Sequence, residues 1–260
     1  MAGFIAGTCF AGDNAANFQK YLSQKRTLET VISLYDQSSY SAALPMVRKL
    51  VDGSNPVAEY YYAASLQYGW GVPQNIDRSN EISKRVFPRV YSFAMKGDAV
   101  AQYVTGLMYR SGKGVEKDYA KAAVWFRKAG NQGYAQAQLN LGLLYRNGQG
   151  VERSAVEAVT WYRKAAERGD TVAQYNLGAM YNEGIGVLKD SAEAFKWCRK
   201  AAEQGYPDAQ YQISGMYFKG IGVQEDKVEA GKWLRKAADQ GHARAVEVLK
   251  AMKAAGNAVQ

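Results

Sequence analysis

The sequence is poor in the residues that catalysis, cross-linking and metal binding need. Its 260 residues hold 2 cysteines, Cys9 and Cys198, and 1 histidine, His242. That is too few for a disulfide framework or a Cys/His metal site. A single histidine near the C-terminal end also excludes a His-x-x-x-His zinc helix, and it gives a Ser-His-Asp triad no base elsewhere in the chain. No run of ~18 apolar residues is present, so no transmembrane segment is expected. Proline is scarce, at 5 residues, yet 47% of the chain is hydrophobic and 22% charged, which is the composition of a folded protein. The net charge of +9 is not gathered into runs of one sign. Nucleic-acid binders concentrate such an excess on one face, so a solvated surface with a slight positive lean is the plainer reading, and nucleic acid is not the expected partner.

What the chain does have is repetition. Residues 98–133, 134–169, 170–205 and 206–241 align without gaps as four blocks of 36 residues. The same residues return at the same places: Ala101, Ala137, Ala173 and Ala209, each followed by Gln; Tyr109, Tyr145, Tyr181 and Tyr217; and Trp125, Trp161, Trp197 and Trp233. A Gly-x-Gly-Val stretch opens at Gly112, Gly148, Gly184 and Gly220. A basic pair precedes Ala, as in Arg127-Lys128-Ala129 and Arg163-Lys164-Ala165.

Each block reads as two helices. In the first, from about Val100 to Arg110, Ala101, Thr105, Met108 and Tyr109 recur at helical spacing, and Gly112 supplies a left-handed stop. The second starts after Asp118, Ser154, Asp190 or Asp226, with Glu157, Glu193 and Glu229 three positions later, the pattern of a capping box. Ala122, Trp125 and Ala129 share its inner face, and Gly133 ends it. The small Ala and Gly positions let helices approach closely while Trp and Tyr fill the remaining volume.

The register extends outward. Asn55-Pro56 reads as a cap followed by Pro at the first helical position, and Gly69-Trp70-Gly71-Val72 repeats the loop, with Asn75 as the next cap. This copy, residues 55–97, carries an insertion of seven in its second helix, around 82–96, which Pro88 is expected to interrupt. Residues 12–54 hold N-terminal helices with a degenerate copy, Ser39 at its cap and Met46 at the Trp place; residues 242–260 form a capping helix and tail. Residues 1–11, MAGFIAGTCFA, resemble the end of a signal peptide without its basic start, and Thr8-Cys9 makes a poor lipidation site. Export to the periplasm is expected from this run, with a cytoplasmic protein as the alternative.

The pattern A-x-x-x-L-G-x-x-Y-x-x-G-x-G-V, then D-x-x-x-A-x-x-W-x-x-K-A-A-x-x-G, resembles the Sel-one-like repeat family of the tetratricopeptide superfamily. Leu141-Gly142 and Leu177-Gly178 match its L-G step, whereas Thr105-Gly106 and Ile213-Ser214 depart from it mildly. The likeness is specific over 98–241, fair over 55–97 and weak elsewhere. It implies an all-α, right-handed α-solenoid of antiparallel helix pairs with a C-terminal capping helix, the first helices lining a concave surface. It also implies adaptor or scaffold work, often in the bacterial envelope, host interaction or secretion.

No catalytic constellation is found. The Gly-x-Gly loops lack the preceding strand and third glycine of a phosphate loop, and Glu225-Asp226 sits at a loop and cap. Cys198 stands where other copies have Phe126, Tyr162 and Leu234, the place of a packed hydrophobe. A non-catalytic binder with no cofactor, no metal and no small-molecule substrate is expected. Partner contacts are sought at positions that vary while the skeleton stays fixed: Val104, Asn140, Asn176 and Gln212 in one column, Arg110, Arg146, Asn182 and Phe218 in another. Repeated amides there suit a peptide backbone, and Arg110 and Arg146 suit partner carboxylates; the plainer reading is of ordinary exposed helix residues. Tyr61 and Trp70, in the ring-rich stretch 60–70, complete the candidates, because five rings there exceed what one helix buries.

The chain is therefore expected to act as a monomer that binds one protein partner. One version is an immunity protein neutralising a secreted toxic effector, such as a type VI secretion lipase. Another is an envelope, secretion or virulence adaptor for a cellular or host protein. An RNA-binding helical repeat is the remaining alternative.

Overall fold

The computed structural model describes residues 9–254, with the backbone alone for 9–14 and Asp36. Residues 1–8, most of the stretch from which export was expected, lie outside the described residues. Among the described residues there are 14 helices and no strand, and the chain divides into two compact units, 1–125 and 126–260.

The first unit contains α1 (Cys9–Ser23), α2 (Lys25–Asp36), α3 (Tyr40–Asp52), α4 (Pro56–Tyr68), α5 (Ile76–Met95) and α6 (Ala99–Ser111). From α2 onward each helix packs on the next. The local signals act as their chemistry requires. Asn55 Oδ1 accepts from the backbone N–H groups of Val57 and Ala58, with Pro56 in the first turn. Gly69 and Gly112 end α4 and α6 in the left-handed region, at φ 72° and 73°. Asp98, buried at the head of α6, caps Ala101 N–H and also accepts from the Tyr21 hydroxyl (2.7 Å) and the Lys25 ammonium (3.2 Å). That single carboxylate ties α1 and α2 to the repeat. Phe18 and Tyr21 of α1 stack around Phe93 in support.

The seven-residue insertion lengthens α5 to 20 residues, against 13 for α7 (Tyr119–Asn131), the helix that contains the unit boundary. Pro88 does not interrupt it as expected. The helix runs through Pro88, which lies on its exposed side. Glu59 of α4, 4% exposed, is held from α5 by Arg85 (2.8 Å) and Arg89 (2.7 Å).

The second unit contains α8 (Ala135–Asn147), α9 (Ala155–Glu167), α10 (Thr171–Glu183), α11 (Ser191–Glu203), α12 (Pro207–Lys219), α13 (Lys227–Asp239) and α14 (Ala243–Ala254), each packed on its successor. Ser154, Asp190 and Asp226 cap Glu157, Glu193 and Glu229 N–H as expected. The reciprocal half of the capping box differs: the Glu193 carboxylate accepts instead from Lys196 and the Trp197 indole, and that of Glu229 from Lys232. The cap N–H groups are already engaged, that of Asp190 by Tyr181 O (3.0 Å) and that of Asp226 by Tyr217 O (2.9 Å), which leaves the glutamates to charged and indole donors on their own helix.

The invariant residues hold neighbouring helices together. Gln138, Gln174 and Gln210 are buried, and each donates from Nε2 to a carbonyl in the last turn of the preceding second helix: Gly130 O (2.7 Å), Ala166 O (3.1 Å) and Ala202 O (3.2 Å). These are carbonyls a helix end leaves without an intrahelical partner. Gly142 and Gly178 allow close approach, since a β-carbon would lie 2.6 Å from the Tyr162 ring and 2.5 Å from Cys198 Sγ. Cys198 is accordingly a buried packing residue whose thiol burial pushes up to about 12. Lys164, Lys200 and Lys236 lie over Trp161, Trp197 and Trp233 at 4.1, 4.4 and 4.0 Å. Arg127 and Arg163 donate to the hydroxyls of Tyr145 and Tyr181 in the following first helix. At least one member of the basic pair in each block is thus engaged by an aromatic residue of the scaffold, while Arg199 pairs instead with Glu203 (2.7 Å).

Candidate protein-interaction surface

The candidate positions separate by burial. Val104 is 0% exposed and Tyr61 6%, so both are core residues, and the expectation that they meet a partner is corrected. The cause is the same for each: α4 and α6 bury residues on every side, including the consecutive run Val100–Gly106, so neither helix offers a free face there. Asn140 is 7% exposed and donates to Gln136 O at 2.7 Å. Its amide is turned back onto its own helix.

Trp70 is half-buried, with its ring stacked on Tyr40 at 4.4 Å and 4° and Tyr68 tilted against it at 4.6 Å. The surplus of rings in 60–70 is absorbed partly by rings from elsewhere, Tyr35 and Tyr40, and partly left outside, with Tyr68 55% exposed. Lys113 Nζ lies 4.6 Å from the Tyr68 ring, and burial lowers its pKa. Arg110, also in this unit, is half-buried at the end of α6.

In the second unit Arg146 is exposed and reaches the half-buried Asn176, Nη1 to Oδ1 3.4 Å, one repeat on. The remaining three positions, Asn182, Gln212 and Phe218, come together. They line one groove of about 1000 Å³, whose floor comes from Met216 of α12, Leu234 of α13 and Met252 of α14. Phe218 stands at its edge, 51% exposed, with Lys227 Nζ 6.0 Å from the ring. Lys219 and Lys227 give the same edge positive charge, while Asn182 and Gln212 add amides able both to donate and to accept.

The groove exists because side chains are missing. Gly215 lines it where the other blocks carry Leu107, Leu143 and Ala179, and Gly231 lines it in the place of Ala123, Val159 and Phe195. A β-carbon on Gly215 would meet nothing within 4 Å. In contrast Leu143 packs against the core of its own copy. Gly215 stands in a first-helix column that varies between copies and so was a candidate for the concave face from the sequence, whereas Gly231, which ends the column Ala123, Val159 and Phe195, was not singled out.

Chemistry other than binding finds no support in the groove. The single histidine serves the scaffold: His242 Nδ1 accepts from Ala245 N–H (3.2 Å) at the head of α14, and its ring stacks on Tyr211 at 4.7 Å. Among the described residues no cluster of acidic, Cys and His side chains is arranged to hold a metal. No helix among them is long and apolar enough to cross a membrane.

Comparison with solved structures places this architecture. The chain is similar to a protective antigen of uropathogenic Escherichia coli that displays an SLR fold, at 32% identity and TM-score 0.67 over 94% of this chain. This chain spans about half, 52%, of that protein's length. It is also similar to a Sel1 repeat protein from Oxalobacter formigenes, at 31% identity and TM-score 0.62, over 87% of each. An immunity protein from Pseudomonas aeruginosa is a more distant neighbour, with 24% identity and TM-score 0.46 over 73% of this chain and 67% of that one, too far for its role to bear on this chain. No curated protein gives a significant match. The model of the Sel1 repeat matches residues 56–81, 99–134, 135–170, 171–206 and 207–242, more than half of the sequence, and with helix pairs, glycine caps and aromatic spacing in agreement the chain belongs to the Sel1 repeat family.

Proposed function

We propose that this protein is a non-catalytic scaffold that binds one protein partner, and that its second unit takes an apolar segment of that partner in the groove beside Phe218. The observation that carries this reading is the pair of glycines, Gly215 and Gly231, at positions where the other copies keep side chains. An aromatic or branched aliphatic anchor would fill the space they leave. Acidic residues flanking that anchor would meet Lys219 and Lys227, and Asn182 and Gln212 would engage its backbone.

The narrower forms follow from the family resemblance. In one, the chain is a periplasmic immunity protein and the partner a secreted toxic effector; in the other, it is an envelope or secretion adaptor. The identity of the captured partner decides between them. Arg146 with Asn176, and Arg110 in the first unit, are proposed as secondary contacts.

The test is capture from the source organism's proteins by the full chain and by Phe218→Asp, with a photo-crosslinking residue placed in parallel at Val248, an exposed residue that also lines the groove. One stoichiometric partner, lost from Phe218→Asp and crosslinked at position 248, is the expected result. A partner retained by the variant, or crosslinks that avoid position 248, would place the binding surface elsewhere.

A further inference from the structure

Gln138 differs from its counterparts in one respect. The Oε1 atoms of Gln174 and Gln210 accept hydrogen bonds from the side-chain amides of Gln204 (2.8 Å) and Gln240 (2.7 Å), which stand at the end of the next second helix. The Gln204 amide is held on both sides: its Nε2 also reaches Gly169 O (3.2 Å), and its Oε1 accepts from the Thr171 hydroxyl (2.8 Å). At the place of Gln204 and Gln240 the second copy carries Arg168. The Gln138 side chain, 3% exposed and anchored through Nε2 on Gly130 O, is left with a buried Oε1 that has no hydrogen-bond partner. A buried acceptor in that state is costly.

The surroundings depart from the other copies in the same direction. Gly130 stands where they have Ala94, Ala166, Ala202 and Ala238. Arg168 lies over Gly133, where a β-carbon would meet its guanidinium at 2.5 Å. Gln138, Gly130, Gly133, Arg168 and Lys164 line a notch of about 460 Å³.

We propose that this notch receives a primary carboxamide, the side chain of a glutamine or asparagine on the protein partner. The inference rests on the protein-binding reading and names a chemical group on that partner. The incoming N–H donates to Gln138 Oε1 and to the Gly133 carbonyl, the counterpart of Gly169 O. Its oxygen accepts from the Arg168 guanidinium, which takes over the donor role that Thr171 plays one copy later and that Ala135 cannot fill. The next repeat shows the same recognition made within the chain by Gln204.

The probe is N-acetyl-Gly-Gln-Gly-amide, with its Leu counterpart as control, titrated into the isotopically labelled full chain while the Gln138 side-chain amide resonances are followed. A saturable shift with Kd on the order of 1–10 mM is expected for so small a ligand, with the Leu peptide at least about 5-fold weaker. Arg168→Gln lays the chain's own carboxamide in the notch and abolishes the shift, with melting temperature held or raised. Gly130→Ala, which restores the residue of the other copies, narrows the notch and weakens binding independently. Equal responses to the two peptides, no response, or binding unchanged in both variants overturns the proposal. Partner capture at Phe218 is read separately, so loss of the peptide signal with capture intact removes the notch and leaves the groove.

Discussion

Filling the groove from within should make the protein more stable and less functional at once. Gly215 occupies the interior of α12, and nothing lies within 4 Å of a β-carbon built there. Gly215→Ala should therefore recover the helix propensity that glycine forfeits, about 1 kcal/mol. Gly215→Leu restores the side chain of Leu107 and Leu143 and adds burial. Full burial of a leucine contributes ~1.5–3 kcal/mol, and in an open groove roughly half of that, ~1 kcal/mol, applies. The expected totals are ~1 kcal/mol for Ala and ~2 kcal/mol for Leu. At ~2–4 °C per kcal/mol for a chain of this size these become about 2–4 °C and 4–8 °C in melting temperature. Scanning calorimetry reads the stability and partner capture reads the function. Gly215→Ala should retain most binding because it leaves the groove nearly open, whereas Gly215→Leu should lose it. A fall in melting temperature for both variants would show that the surrounding helices do not leave the space described. A rise in melting temperature with binding intact in Gly215→Leu would separate the glycine from the partner and refute the groove as the binding site.

Three further outcomes test the scaffold. Trp161, 6% exposed, should cost ~3–5 kcal/mol on substitution by Ala in urea denaturation, and a loss under ~1 kcal/mol would contradict its burial. In a Cys9→Ser background the Cys198 thiol, pushed up to about 12 and 1% exposed, should resist iodoacetamide at pH 8 until the second unit opens; prompt labelling of the folded chain would contradict the packing against Gly178. Burial raises the pKa of Asp170 even though it caps Ala173 N–H. A carboxyl raised in the folded state contributes most when protonated, so its contribution should decline as pH rises through its unfolded pKa to the folded one. Asp170→Asn keeps a cap and should remove that decline, so that relative to the parent chain the variant's stability rises more steeply with pH across the acid limb; an unchanged profile would assign the pH dependence to other groups.

The scaffold was legible wherever a residue acts on its immediate neighbours. Asp190 and Asp226 cap because a short carboxylate reaches N–H groups two and three residues on, and Gly184 and Gly220 stop helices because only they adopt φ 73° and 66° cheaply. Val104 and Tyr61 were misplaced because helical periodicity identifies a single inner face. It says nothing useful about a helix packed from several directions, as α4 and α6 are. The Gln174–Gln204 and Gln210–Gln240 pairs span 30 residues, beyond the reach of any local rule. Pro88 misled for the opposite reason: a rule about backbone hydrogen bonds was applied without knowing that the proline would sit on the exposed side of α5.

The two candidate binding features share an origin that explains why residue chemistry alone does not announce them. A catalytic site is built by adding groups, and those groups can be recognised one at a time. The groove and the notch are built by subtraction from a working repeat. The groove removes volume, along the columns Leu, Leu, Ala, Gly and Ala, Val, Phe, Gly that end at Gly215 and Gly231. The notch removes a partner, by placing Arg168 where Gln204 and Gln240 complete a buried amide pair. In both, the other copies show what the scaffold needs for its own packing, so the departure measures what a copy has given up. Gly in a helix interior lowers stability and so does an unpaired buried amide oxygen, each by about 1 kcal/mol or more. The proposed binding would compensate for both, and that proposal predicts that repairing either site stabilises the chain while removing the recognition assigned to it.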